Sequence, residues 1–131
     1  MPESLKRLQV VGEDMELNEL IIKSLKFSSI EIVEAGGDSA VLDLSNSIYE
    51  KEVIGTDSNG IANNYKLKYV VNYVVYDAEG SKLQAQSVSQ DRSLVYDANN
   101  ILVFEREEIF LVKDMRQELV TTILRRMSKI Q

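Results

Sequence analysis

The chain has 131 residues, 15 basic and 21 acidic side chains, a net charge of -6, and neither Cys nor His. It therefore lacks thiolate and imidazole nucleophiles, the usual zinc ligands and the commonest general base, and its acidity opposes general nucleic-acid binding, which needs a basic footprint. No run reaches the ~18 apolar residues of a membrane span, and the length suits one domain over residues 1–131 that buries about two-thirds of the surface its unfolded chain exposes.

The sequence from Leu5 to Val11 is apolar with a polar interruption and stops at Gly12, which predicts a first strand. Asp14 is placed to cap a helix in which Leu17, Leu20, Ile21 and Leu25 recur at helical spacing, until Ser28 and Ser29 interrupt the pattern. Ile30 to Val33 reads as a brief extended piece and Ala35 to Ser39 as a glycine-containing loop. The next strand runs from Ala40 to about Ile54, with a bulge or bend expected near Tyr49, where the alternation loses phase. Gly55 to Asn64 reads as a polar connection.

Tyr65 to Tyr76 is the longest strand signal, aromatic and β-branched with no Gly or Pro inside it. Alternation puts Tyr65, Leu67, Tyr69, Val71, Tyr73 and Val75 on one apolar face, and Lys66, Lys68, Val70, Asn72, Val74 and Tyr76 on a mixed one. Burying a large apolar side chain contributes roughly 1.5–3 kcal/mol, so the first face demands a cover. Asp77-Ala78-Glu79-Gly80 predicts a three-residue hairpin turn with Gly80 left-handed. Counting outward from that turn puts Leu83, Ala85, Ser87 and Ser89 on the apolar face, and Lys82, Gln84, Gln86, Val88, Gln90 and Arg92 on the other. The same count brings Lys66, Lys68 and Arg92 together.

Asp97 to Asn100 ends this strand, and a long helix begins within Ile101 to Glu107. Val112, Met115, Leu119 and Ile123 form its apolar seam. The order strand, helix, three strands, helix predicts an α+β two-layer sandwich, with two helices on one face of a four-stranded, largely antiparallel sheet.

Three clusters bear on function. Lys66, Lys68 and Arg92 would suit a phosphate or other anion, although a solvated sheet face of cross-strand Gln and Lys needs no ligand at all. Val70, Asn72, Val74, Tyr76 and Val88 put more apolar area on that face than a wet surface usually carries, which points to a partner. Glu105, Glu107 and Glu108 invite an acid/base reading, but complementarity to the helix dipole accounts for them. The Gly36-Gly37 pair lacks phosphate-loop spacing. These residues point away from an enzyme, and no metal or cofactor is expected. A small-ligand or enzymatic α+β domain, with its pocket between helices and sheet, is the alternative.

The ordered set Tyr65-Lys-Leu-Lys-Tyr69, Asp77-Ala-Glu-Gly80, Asp91-Arg-Ser-Leu-Val-Tyr-Asp-Ala-Asn-Asn100 and Met115-Arg-Gln-Glu-Leu119 through Met127 resembles the lipopolysaccharide-assembly lipoprotein family LptE, or RlpB. The resemblance implies two helices on a four-stranded sheet, an outer-membrane lipoprotein facing the periplasm, and a role as plug and chaperone of the β-barrel LptD that aids delivery of lipopolysaccharide to the outer leaflet. It also implies a signal peptide and a lipidated cysteine. This chain has no Cys, so that anchor is expected upstream of Pro2. Under this resemblance Lys66, Lys68 and Arg92 become candidates for lipopolysaccharide, and Val70, Asn72, Val74, Tyr76 and Val88 for the partner.

Overall fold

A computed structural model describes residues 2–34, 37–96 and 99–130. The loop residues Ala35 and Gly36, and Asp97 and Ala98 of the segment expected to end the last strand, lie outside the described residues. After a short 3-10 turn at Glu3–Leu5 come β1 (Arg7–Val11), α1 (Met15–Leu25), β2 (Glu31–Ile32), β3 (Ala40–Thr56), β4 (Ala62–Tyr76), β5 (Lys82–Val95) and α2 (Ile101–Met127). The sheet order is β2-β1-β3-β4-β5. β1 pairs in parallel with both β2 and β3, whereas β3, β4 and β5 form an antiparallel meander.

The α+β class with two helices holds, but the sheet has five strands and is mixed. The extended piece after α1 joins the edge of β1, where Glu31 N–H donates to the Lys6 carbonyl at 2.7 Å and Val33 N–H to that of Leu8 at 2.9 Å. Returning to the sheet beside β1 in parallel needs a crossover, and α1 supplies it.

Both helices pack on one face of the sheet, α1 over β1 and α2 over β4 and β5. Leu67, Tyr69, Val71, Tyr73 and Val75 of β4 are buried in one core with Leu17, Ile21 and Leu25 of α1 and Met115, Leu119, Val120, Ile123 and Met127 of α2. Asp14 caps α1, its carboxylate accepting from Leu17 N–H at 3.2 Å. α2 runs the same way as β4: Phe104 packs on Tyr65, Arg116 stands over Tyr69, and the Arg126 carbonyl accepts from Gln84. Gly12 is a close-approach position, where an added Cβ would lie 3.1 Å from the Leu44 side chain and carbonyl.

The two hairpins use one turn design. Asp57 and Asp77 each begin a turn whose fourth residue, Gly60 or Gly80, is left-handed at φ 77 or 86. Each Asp side chain also accepts two backbone N–H bonds inside its own turn. The polar connection expected over Gly55 to Asn64 is therefore a tight hairpin, with pairing continuing from Val53 and Tyr65 out to Thr56 and Ala62.

The bulge in β3 lies between Asp43 and Asn46 rather than near Tyr49. Asp43 folds its carboxylate back to accept from Ser45 N–H at 2.9 Å, and the phase changes there. Leu42 and Leu44 are buried, whereas Ile48 turns to the opposite face.

Candidate functional site

With both helices on one side, the other face of β3, β4 and β5 carries no covering element among the described residues. Register defines its content. On β4, Val70, Asn72, Val74 and Tyr76 lie beside Ile48, Asn46, Asp43 and Val41 of β3, and Val70, Asn72 and Val74 lie beside Ser89, Ser87 and Ala85 of β5. Ile48, 49% exposed, joins Val70 and Val74 in an apolar band. Beyond the band the strands carry charge: Lys68 sits between Glu50 and Asp91, and Lys66 between Glu52 and Ser93. The Lys66 ammonium is 3.9 Å from Asp91.

This arrangement separates the expected basic cluster. The hairpin closes as predicted, Asp77 N–H donating to the Ser81 carbonyl at 2.9 Å and Tyr76 facing Lys82. One extra residue, Leu83, then intervenes, so that Val75 faces Gln84 and every later position moves to the other face. Lys66 and Lys68 stay on the open face. Arg92 is on the helix face, where its guanidinium pairs with Asp114 of α2 at 2.9 Å.

Val88 is likewise corrected: it is 5% exposed and packs in the core. The driving force is visible in β5 itself. Val88 and Leu94, six residues apart, share a face, and only the shifted register buries both. The polar residues carried inward with them find partners. Gln84 accepts from the Tyr73 hydroxyl at 2.7 Å and donates to the Arg126 carbonyl at 3.2 Å, while Gln86 accepts from the Arg126 guanidinium at 3.0 Å.

Two networks that residue spacing alone did not reveal fix the helices to the sheet. At the start of α1, the Asp14 carboxylate accepts hydrogen bonds from the Tyr69 and Ser47 hydroxyls as well as from its cap N–H. Near the β3–β4 turn, Glu108 accepts from Lys51 at 2.7 Å and from the Tyr49 hydroxyl at 3.0 Å, and the Lys51 ammonium lies 5.0 Å from the Tyr65 ring centre. Glu108 is too far into α2 to act through the helix end, so its role is this pairing rather than dipole complementarity.

Burial pushes the hydroxyl pKa values of Tyr49, Tyr69 and Tyr73 above the ordinary 10.0. For Tyr49 the hydrogen bond and charge of Glu108 add to burial. For Tyr69 the Asp14 bond adds while Arg116 opposes, and for Tyr73 Arg126 opposes. A raised tyrosine pKa means the folded state retains protons that the unfolded chain has already lost. The stabilisation is complete below the unfolded value and is lost as pH rises through it toward the folded one. Thermal melts are thus expected to be level up to about pH 9 and to fall beyond about pH 10. Tyr49→Phe should make that fall shallower, and an unchanged slope would remove Tyr49 from the explanation.

Three concavities lie on the outer side, along α1 and α2, and a fourth lies beside the β4–β5 turn at Asp77, Ala78 and Glu79. The one with a volume of about 380 Å³ is lined by Glu16, Glu108, Ile109, Val112, Lys113 and Arg116. Buried side chains fill the space where the alternative small-ligand pocket was expected. Among the described residues no group of three or more Asp and Glu is placed to hold a metal ion.

Comparison with known proteins agrees with this geometry. The family LptE, lipopolysaccharide-assembly, matches residues 5–127. The rare lipoprotein B structure from Shewanella oneidensis is 27% identical, covers 93% of each chain and superposes with a TM-score of 0.78. Lipoprotein B from Nitrosomonas europaea, 22% identical over 92% of this chain and 81% of its own, gives 0.81. A minor lipoprotein from Acinetobacter baumannii, 17% identical over 95% and 91%, gives 0.75, and these last two relatives support the fold. No curated protein matches by sequence. The family match takes in β1 through α2, both covering helices and all three strands of the open face, and on that match the chain belongs to the LptE family of lipopolysaccharide-assembly lipoproteins.

Proposed function

We propose that this chain acts at the outer membrane as a non-enzymatic plug and chaperone of the β-barrel LptD and binds lipopolysaccharide during its delivery to the outer leaflet. A lipid anchor upstream of Pro2 would hold it on the periplasmic side. The observation that carries the proposal is the uncovered face of β3–β5. A two-layer domain that leaves Ile48, Val70, Val74 and Tyr76 facing outward on a long, three-stranded surface has an unfinished second side. A barrel wall or its lining would complete it. Co-expression of the chain with LptD tests this directly. A stable complex is expected, and recovery of only the free proteins would overturn it.

Lys66 and Lys68 are the two basic residues this reading retains for lipopolysaccharide, since Arg92 is committed to Asp114. Both lysines stand among carboxylates, so each contributes only a partial positive field. Lys66→Glu with Lys68→Glu is expected to weaken lipopolysaccharide binding by about three- to tenfold, the scale of two partly exposed charge contacts. Unchanged binding with an intact circular dichroism spectrum would take the site away from these residues.

A further inference from the structure

β5 is the last strand of the sheet and has a neighbour on one side only, so its outer edge carries backbone groups that no strand pairs. The register fixes which residues these are. In an antiparallel ladder alternate residues bond to the neighbouring strand, and the others turn both N–H and carbonyl away from it. Tyr96 N–H donates to the Asn63 carbonyl, and the same register puts Val88 against Val71, so from Gln84 onward the even-numbered residues bond inward. Ala85, Ser87, Ser89, Asp91 and Ser93 therefore present their backbone to the open side.

Two arginines close this edge. The Arg126 guanidinium reaches down from α2 and donates to the Ser87 carbonyl at 3.2 Å and to the Gln86 side chain at 3.0 Å, while its own carbonyl accepts from Gln84. Arg92 pairs with Asp114 on the helix side and donates to the Asp91 carbonyl at 2.7 Å. Each guanidinium thus occupies an outward acceptor that an added strand would need, one on either side of Ser89. The stretch itself offers no such protection. Residues 84–90 contain no charged side chain, no Pro and no bulge, the devices by which exposed edges usually turn another strand away.

We propose that Arg126 and Arg92 keep the chain monomeric by closing an edge that otherwise pairs with β5 of a second copy. The two edges of the sheet select that occupant. The far edge, β2, is two residues long, so two copies have one long edge each to offer, the fourteen residues of β5. Like edges meet antiparallel about a two-fold axis. With the axis at Ser87, residues 84–90 lie against residues 90–84 of the second copy, outward positions face outward positions, and no charge opposes a charge within the run. Withdrawal of Arg126 from Ser87 opens the centre of that pairing. The inference stands independently of the open sheet face and of LptD.

Analytical ultracentrifugation of the intact chain tests this. The native chain is expected to sediment as a single 14.9 kDa species across the micromolar range, and Arg92→Ala with Arg126→Ala to shift toward twice that mass as concentration rises. In the resulting dimer, amide hydrogen exchange at Ala85, Ser87 and Ser89 should slow by about tenfold or more relative to the native chain. Arg126→Ala alone, which leaves the Arg92–Asp114 pair intact, should dimerise in the same way at higher concentration. Adding Ser89→Pro, which an outward edge position tolerates, should return either variant to a monomer. A native chain that already dimerises through β5, arginine variants that stay monomeric with a native circular dichroism spectrum, or a dimer that Ser89→Pro leaves unchanged would overturn the proposal.

Discussion

Val70→Glu combined with Val74→Lys is expected to abolish recovery of the LptD complex while leaving the isolated protein folded. Both residues point to the open face of β4, in the middle of the apolar band, with Ile48 and Ser89 beside the first, and Asp43 and Ala85 beside the second. The signs are chosen to protect the fold. A lysine at position 74 faces Asp43 across the pair, and a glutamate at position 70 lies beside Lys68, two residues along the same face of β4. Loss of two β-branched residues costs the free protein at most about 1 kcal/mol each. Within an apolar interface the same two charges would be taken out of water, at about 2 kcal/mol or more apiece. Affinity should therefore fall by roughly a thousandfold. Co-purification reports the loss, and circular dichroism reports the fold. Undiminished complex would place the partner on another surface.

Asp14→Ala is expected to be the most damaging single polar substitution for stability. It removes the cap of α1, usually about 1 kcal/mol, and leaves the Tyr69 and Ser47 hydroxyls without their acceptor, at about 1–3 kcal/mol for each hydroxyl that finds no replacement. The expected loss is about 2–5 kcal/mol against a total of about 5–15 for a domain of this size. Urea unfolding measures it. Tyr69→Phe should cost much less in the Asp14→Ala background than in the native chain, because the two groups share one bond. Equal costs in both backgrounds would show that the Asp14–Tyr69 bond contributes nothing to stability.

The parts of this fold legible in the sequence are those governed by local periodicity. The apolar face of β4, the Asp14 cap, the Asp77–Gly80 turn and the seam from Met115 to Ile123 each follow from spacing of 2 or 3.6, or from the chemistry of one residue. The misplaced features depend on single inserted residues. Leu83 shifted β5, sending Arg92 to Asp114 and Val88 into the core. The Asp43–Ser45 bond shifted β3 and put Ile48 on the open face. A bulge costs the chain little locally, yet it inverts the face of everything beyond it.

Long-range pairing explains the remaining differences. Nothing near Lys68 in the chain announces that Glu50 and Asp91 will flank it, and nothing near Glu108 announces Lys51 and Tyr49. The second Asp-to-Gly turn, at Asp57, was available in principle from its likeness to Asp77–Gly80, since both have Gly three residues after Asp. The fifth strand was not. A two-residue pairing such as Glu31–Ile32 has no pattern of its own and forms because α1 returns the chain beside β1.

The uncovered face of β3–β5 is the centre of this account, and a photo-reactive crosslinker placed at Val70 tests it most directly. In cells co-expressing LptD, illumination is expected to give a covalent adduct that contains LptD. Absence of that adduct from position 70, and also from Ile48 and Val74, while the two proteins still co-purify, would contradict the role assigned to this face.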